Sequence, residues 1–430
     1  MILAQIIKSI FEIALVGAFI FSSIYFIITF ISLSKKRLTK SASFLGYSKA
    51  LPFVTIQIPT FNELAALNCA QKCLEFDYPE EKLQILIGDD SNNKDISNTI
   101  DEFVKKNPKI NISRRENNHG YKPGNLNKML YKSKGDYILI FDSDFLPEKN
   151  FLRDIVQPVI QDKSLSGVQA SWKIINAHKN LSTLMGSAIV NVVHSILMPF
   201  MHETTNHAIL CGSGELIKKS DIIELGGWTE GSLTEDVDFS LRLIAAGKRI
   251  DYLENLKVCC ETPHTAKDLF RQQMRWAYGV VKAFLSHFKK LLNSKLTKKS
   301  VKLATMVWST GYIMITMLLF SFVFGVLNLI FGALGFSPSE SGLSTYSIGR
   351  FVYDSTLNLL LTGGMLLSSI AASFVNGFGF KSIGKLFFSA LTIGFICMFF
   401  VGKGIFKAII GRPMNWFMLN KEGNNINLNA

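Results

Sequence analysis

A chain of 430 residues, 48% hydrophobic and with a formal net charge of +13, has room for one large or two ordinary domains and is unusually apolar for a soluble protein. The charge does not point to nucleic acid, because basic residues crowd against apolar runs, as at Lys35-Lys36-Arg37 and Lys298-Lys299, and no module interleaves them with aromatics. Six cysteines with no C-x-x-C pair and no zinc spacing read as reduced packing residues of a cytosolic domain rather than a disulfide or metal framework.

In chain order, Ser9 to Leu33 is long and apolar enough to cross a bilayer, and the basic cluster Lys35, Lys36, Arg37 and Lys40 behind it places the following domain in the cytoplasm. Val54 to Pro59 predicts a first strand and Leu83 to Gly88 a second, ending in Asp89-Asp90. A helix is expected near Asp95 to Lys106, a short strand around Ile110 to Ser113, a loop over Asn118 to Asn125, and a helix from Leu126 to Lys132. The buried-strand run Tyr137 to Ile140 follows. This alternation predicts a mostly parallel, doubly wound sheet, with ligands beyond the carboxyl ends of its strands, where Glu63, Asp90 and Asp142 fall.

Further on, Asn150 to Ile160 reads as helix, Gly167 to Ser171 as strand leading into Trp172, and Leu181 to Met198 as buried helix. Ala208 to Ile217 carries Cys211-Gly212-Ser213-Gly214, whose glycines let backbone approach a ligand. Thr234 is placed as N-cap of a helix opening with Glu235 and Asp236. Lys248 to Leu253 is a last strand, and Thr265 to Leu292 an amphipathic interfacial helix. Leu303 to Leu334, Phe351 to Val375 and Ile383 to Val401 are candidate spans. The linker Ser337 to Ser347 lacks Lys and Arg and is placed outside, and three full spans would then leave the basic tail outside too. The last apolar segment is therefore read as partly interfacial or re-entrant.

Asp142 and Asp144 sit two residues apart just past a strand, so both carboxylates can aim at one point. A hard divalent cation with positions left for phosphate oxygens fits that geometry, and so does a strand-end turn with two solvated acids. The seven histidines, His202 and His207 among them, join in no ligand spacing and read as structural.

Six segments in order match one family: Asp89-Asp90, Lys122-x-Gly124-Asn125-Leu126-Asn127, Asp142-x-Asp144, Gln169-x-x-Trp172, Thr234-Glu235-Asp236 and Gln272-x-x-Arg275-Trp276. Over roughly Val54 to Leu285 the chain resembles the membrane-integrated processive glycosyltransferases of family 2, the cellulose, mannan, hyaluronan and poly-N-acetylglucosamine synthases. The resemblance implies an α/β GT-A (Rossmann-like) cytoplasmic domain plus an α-helical transmembrane region in the plasma membrane. Its divisions are an N-terminal anchor over 1–40, a catalytic domain over 44–264, interfacial helices over 265–300, membrane helices over 301–411 and a gating-loop-like tail over 412–430.

The implied activity is inverting transfer of a hexose from a UDP- or GDP-sugar to a growing β-linked polysaccharide, passed through the enzyme's own helices. A single addition to a membrane lipid of ceramide or diacylglycerol type is the alternative. By the same resemblance Asp142 and Asp144 hold Mg²⁺ or Mn²⁺, and Asp236 is the base. Glu63, Asp89, Asp90, Lys122, Asp142 and Arg275 bind the donor, Gln272, Trp276, Trp172 and Gln169 the acceptor, and Trp416 and Lys421 belong to the gating loop. The family's usual Thr is replaced here by Leu419. As first-turn acids, Glu235 and Asp236 are also ordinary helix-start residues, and each tryptophan also suits a core.

Overall fold

The computed structural model describes residues 2–34, 50–335, 356–358 and 360–419. The basic cluster Lys35 to Lys40, the linker Ser337 to Ser347 and Lys421, expected in a gating loop, lie outside the described residues. Helix α1 takes up Ile2–Ser34. Then come β1 (Val54–Thr60), α2 (Ala65–Leu74), β2 (Leu83–Asp89), α3 (Lys94–Lys106), β3 (Ile110–Arg114), α4 (Tyr121–Lys132) and β4 (Tyr137–Ile140), all four strands parallel. Side chains along β4 alternate between two cores. Leu139 joins Ile56 and Ile58 on one face, while Ile138 and Ile140 join Leu126 and Met129 of α4 on the other. A sheet covered on both sides buries its central strands throughout: β4 is apolar on both faces, while β1 turns Thr55 and Gln57 to its second face, where they hydrogen-bond to Gln84 and Ser133.

The helix expected over Asn150 to Ile160 divides at Val156 into α5 (Phe151–Ile155) and α6 (Gln157–Gln161). Next are β5 (Leu165–Ile174), α7 (Leu181–Val192), a π-turn over Val193–Leu197, α8 (Met198–Thr205), β6 (Glu215–Lys218), α9 (Lys219–Glu224), α10 (Glu235–Ala245) and β7 (Arg249–Cys260). The sheet order is β3-β2-β1-β4-β6-β5-β7. Strand β6 runs antiparallel to both β4 and β5, so the sheet is mixed. That inversion has a structural consequence: the chain entering β6 lies at the same edge where β1, β2 and β4 leave.

Helix α11 (Ala266–Asn293) packs on α10 on one side and on the C-terminal helix on the other. The span read over Leu303 to Leu334 breaks at Thr310 into α12 (Lys299–Ser309) and α13 (Gly311–Ala333). Then come α14 (Thr356–Thr362) and α15 (Gly364–Val375), bent by 66°, and α16 (Phe380–Ser389), joined to α17 (Phe395–Ile409) by a π-turn over Ala390–Gly394. Among the described residues four helices are long and apolar enough to cross a membrane: Ile2–Ser34, Leu181–Thr205, Gly311–Gly332 and Phe380–Ile409, with the bent α14–α15 pair as a fifth candidate. The bend that marks a broken or re-entrant span therefore falls one segment earlier than the sequence suggests. An ideal Cβ on Gly404 of α17 would lie 2.4 Å from the carbonyl oxygen of Met274, so the glycine lets α17 press against α11 backbone to backbone.

Candidate active site

At the carboxyl edge of β1, β2 and β4 the chain leaves each strand in acid. Glu63 follows β1 and accepts a short hydrogen bond from Ser143 Oγ, inside the Asp142-Ser143-Asp144 turn that follows β4. Asp90 follows β2 and is gripped by Arg115, whose Nε donates to Oδ1 at 2.9 Å while Nη2 pairs with the other oxygen. The same guanidinium donates to the carbonyls of His119 (2.6 Å) and Tyr121 (3.1 Å), which ties Asp90 to the start of α4. Burial lifts the Asp90 carboxyl above its ordinary range although Arg115 pulls it down.

The entry to β6 closes the site from the other side. Gly214 N donates to the Ile140 carbonyl at 2.9 Å and Ser213 Oγ accepts from Asp142 N at 3.0 Å, so the Cys211–Gly214 loop is laced to the end of β4. Lys122, in the first turn of α4, reaches across to Asp142 Oδ1 (2.7 Å), Glu235 Oε1 (2.8 Å) and the Gly212 carbonyl (2.7 Å). Burial opposes its charge, yet Asp142 and Glu235 hold its pKa above the ordinary lysine value. Gly212 has φ +86°, and a Cβ there would sit 3.3 Å from Asp236 Oδ2 and 3.4 Å from Lys122 Nζ. Only a residue without a side chain lets carboxylate, ammonium and loop meet at this point.

Thr234 occupies the N-cap position of α10 but makes no side-chain capping bond. Its hydroxyl is buried with no partner among the described residues, pressed toward Gly279 of α11. The helix start instead turns Glu235 and Asp236 into the cleft. Burial, then Glu235, pushes the Asp236 carboxyl up to about 7, against the pull of Lys122 and the Val237 amide. Buried Glu215 accepts from Gly212 N at 2.8 Å, and burial with Asp236 beside it pushes its carboxyl upward as well. Arg275 of α11 makes no ion pair among the described residues. Burial lowers its pKa while Glu235, Asp142 and Asp236 raise it.

One cavity of about 670 Å³ joins Glu63, Asp90, Lys122, Asp142, Asp144, Trp172, Asp236, Gln272, Arg275, Trp276 and Trp416. The tail folds back over it: Trp416 packs edge-on to Phe61 at 5.7 Å, and Arg271 lies 5.5 Å from the ring centre of Phe417. Leu419 lines the cavity as well.

Two residues expected as ligand contacts are placed elsewhere. Asp89 is 2% exposed and its oxygens accept from Ser91 N (3.0 Å), Ser97 Oγ (2.9 Å) and Arg114 Nε (2.8 Å). It caps the end of β2 and does not line the cavity. Gln169 is fully buried; its Nε2 donates to the Ser213 carbonyl at 2.9 Å and its Oε1 accepts from Cys211 N at 2.7 Å. Gln169 therefore fixes the loop before β6 from beneath, helped by Trp172 Nε1 on the same Ser213 carbonyl at 3.0 Å. Trp172 also packs on His194, ring centres 4.9 Å apart, where the π-turn bulges toward the cleft.

Sequence reasoning missed Arg115, Glu215 and the role of Asn127, which donates to the Trp228 carbonyl (2.9 Å) and accepts from Trp228 N (2.8 Å). Asn127 thereby ties α4 to the turn before α10. The loop read over Asn118 to Asn125 is helical from Tyr121 onward. Pro123 is tolerated because first-turn amides have no intrahelical partner.

Comparison with known proteins follows this geometry. Residues 137–339 match the family described as "Glycosyl transferase family group 2". Glucomannan 4-beta-mannosyltransferase 9 of Arabidopsis thaliana is 32% identical over 268 residues, 60% of this chain and 49% of that one. Glucomannan 4-beta-mannosyltransferase 1 of Oryza sativa subsp. japonica is 29% identical over 260 residues, 58% and 50% of the two chains. The chain spans about half the length of the curated relatives it matches. A mannosyltransferase from Pyrobaculum calidifontis, solved with GDP-Man and Mn²⁺, superposes with a TM-score of 0.61 at 16% identity, covering 86% of this chain and 98% of that one. The mixed sheet is accordingly of GT-A type. By sequence residues 137–339 carry a glycosyl transferase family 2 match, and by fold the sheet is of GT-A type.

Proposed function

We propose that the protein is an inverting, divalent-metal-dependent hexosyltransferase that moves mannose from GDP-Man onto a β-linked glycan at the cytoplasmic face of the plasma membrane. The relatives are mannosyltransferases by name, which supports mannose, and the structural neighbour was solved with GDP-Man and Mn²⁺. The observation that carries the reading is the meeting of Asp236, Lys122 and Asp142 around Gly212. It puts a carboxylate with a near-neutral pKa in the same cleft as the charged groups that would hold a leaving diphosphate.

The chemistry of the donor set fits a hard cation. Carboxylates of Glu63, Asp90, Asp142, Asp144, Glu235, Asp236 and Glu261 line the cavity against two basic side chains, Lys122 and Arg275. Among the described residues no three His, Cys, Asp or Glu side chains form a complete cage. Asp142 and Asp144 would therefore hold Mg²⁺ or Mn²⁺ together with phosphate oxygens, as such ions prefer. When bound, that ion supplies Lewis-acid stabilisation of the departing diphosphate.

The chain's own residues do the rest. Arg275 offers a forked donor to the phosphates, and Lys122 adds a second positive charge. Asp236 takes the proton from the acceptor hydroxyl as the anomeric carbon develops positive charge. One base opposite one leaving group gives inversion, so an α-linked donor yields a β-linked product. Trp276 and Gln272 offer the acceptor sugar a stacking face and a hydrogen-bonding amide, and Trp416 covers the donor side. A growing glycan would pass between α7 and α13 to α17, where the same cavity continues.

The test uses the full chain in detergent, UDP- and GDP-sugars in turn, and Mn²⁺ against a chelator. A β-linked product by NMR from GDP-Man, abolished by chelation, is expected. An α-linked product, or transfer indifferent to chelation, overturns the reading.

A further inference from the structure

Beneath the charged half of the cavity lies a carboxyl that the transfer chemistry leaves unused. Glu215 opens β6, opposite Ile140 of β4 and Gln169 of β5, and is 1% exposed. Its Oε2 accepts from Gly212 N at 2.8 Å, next to Cys211 N, which Gln169 holds. The Gly212 carbonyl in turn accepts from Lys122 Nζ at 2.7 Å, and the side of Gly212 where a Cβ would stand faces Asp236 Oδ2. A glycine at φ +86° has the widest conformational freedom of any residue, so its place depends on what grips its N–H and its carbonyl.

An acid is an unfavourable choice for that grip. Burial, then Asp236, pushes the Glu215 carboxyl well above its ordinary range, and Glu235 adds to the push against Lys122 and the Gly212 amide. The groups facing it are thus Asp236 and Glu235 of α10, Lys122 of α4 and, in its own loop, the Cys211 thiol. Perturbed carboxyls of this kind gather at functional sites, and a proton-bearing Glu215 still accepts from Gly212 N without adding another negative charge beside Asp236.

We propose that Glu215 is a positioning residue for transfer: by holding Gly212 N it fixes the backbone against which Lys122 and Asp236 are both set. The inference rests on the transfer activity proposed above. It adds a residue that does not line the cavity.

Two full-length variants in detergent, given GDP-Man, Mn²⁺ and a β-mannan oligosaccharide, separate reach from acidity, with rates taken per folded molecule. Glu215→Asp keeps the acid but is one methylene short of Gly212 N. Its kcat is expected to fall about tenfold, as for a small misplacement of reacting groups, with acceptor KM unchanged. The acidic limb of its pH profile should move upward, because a Lys122 less firmly held by the Gly212 carbonyl pulls less on Asp236. Glu215→Gln, whose amide oxygen still reaches Gly212 N, should keep kcat within a few-fold of the parent and leave the limb in place. A Glu215→Asp protein with a lowered melting temperature but parental kcat and limb shows a structural role only and overturns the proposal. Loss of turnover or a displaced limb in Glu215→Gln overturns it as well, and decides the matter alone if Glu215→Asp does not fold. Either result leaves the transfer activity standing, whereas a parent protein that turns over no sugar nucleotide with any acceptor overturns the transfer activity and this proposal with it.

Discussion

The two halves of the cavity are built by opposite rules. At the sheet edge, carboxylates crowd round two cations, Lys122 and Arg275, and backbone enters at Gly212 where a side chain would press on Asp236 and Lys122. Between the helices the wall is mostly apolar, aliphatic and aromatic, and the hydroxyls of Thr362 and Ser369 are turned back on their own helices. Charge is manageable at the first only because Lys122 bridges Asp142 and Glu235. The contrast teaches that chemistry and acceptor seating are separable in this molecule: a change in the charged half should alter turnover whatever the acceptor, and a change in the apolar half should alter acceptor KM alone.

Lys122→Met is the strongest way to break that separation, since it removes one of two cations from the charged half. A loss of about 10²-fold in kcat is expected, the scale of a lost electrostatic contact in a water-excluded site. It should be the same whatever the acceptor. The pH profile sharpens the point. Asp236 must be ionised to act as base, and its carboxyl is pushed up to about 7. Activity should therefore rise with pH through an acidic limb and level off above it, and loss of Lys122, which lowers that pKa, should move the limb toward higher pH.

Gly212→Ala comes next. Its φ of +86° disfavours any side chain by about 1–2 kcal/mol, and the new methyl would push on both Asp236 and Lys122. A fall of roughly tenfold in kcat with a lowered melting temperature is expected, again without change in acceptor KM. Gln169→Ala should be the mildest. It strands Cys211 N and frees the Ser213 carbonyl, costing about 1–3 kcal/mol of stability, with an effect on kcat of only a few-fold and none on acceptor KM.

Much of the sheet edge was legible because its signals are local. Short apolar runs ending in acid place β1, β2 and β4, and the i, i+2 spacing of Asp142 and Asp144 aims them together. The direction of β6 was not legible, since a four-residue strand carries no mark of which way it pairs. Nor does a motif show which of its members face ligand. Asp89 and Asp90 are adjacent, so alternate sides of the strand send one into a network with Arg114 and Ser97 and the other to the cleft. Gln169 reads as a contact for the same reason and proves to be a support for Cys211 and Ser213. Arg115 and Glu215 are single charged residues outside any pattern, and only the folded chain brings them to Asp90 and Gly212.

The central claim is that Asp236 removes the acceptor's proton, and Asp236→Asn in a single-turnover transfer assay tests it most directly. The account predicts a loss of about 10²–10⁴-fold in the transfer rate, unchanged donor binding, and a melting temperature at neutral pH and above that is equal or higher, because burying the ionised carboxylate is unfavourable there. Transfer within a few-fold of the parent rate would contradict it.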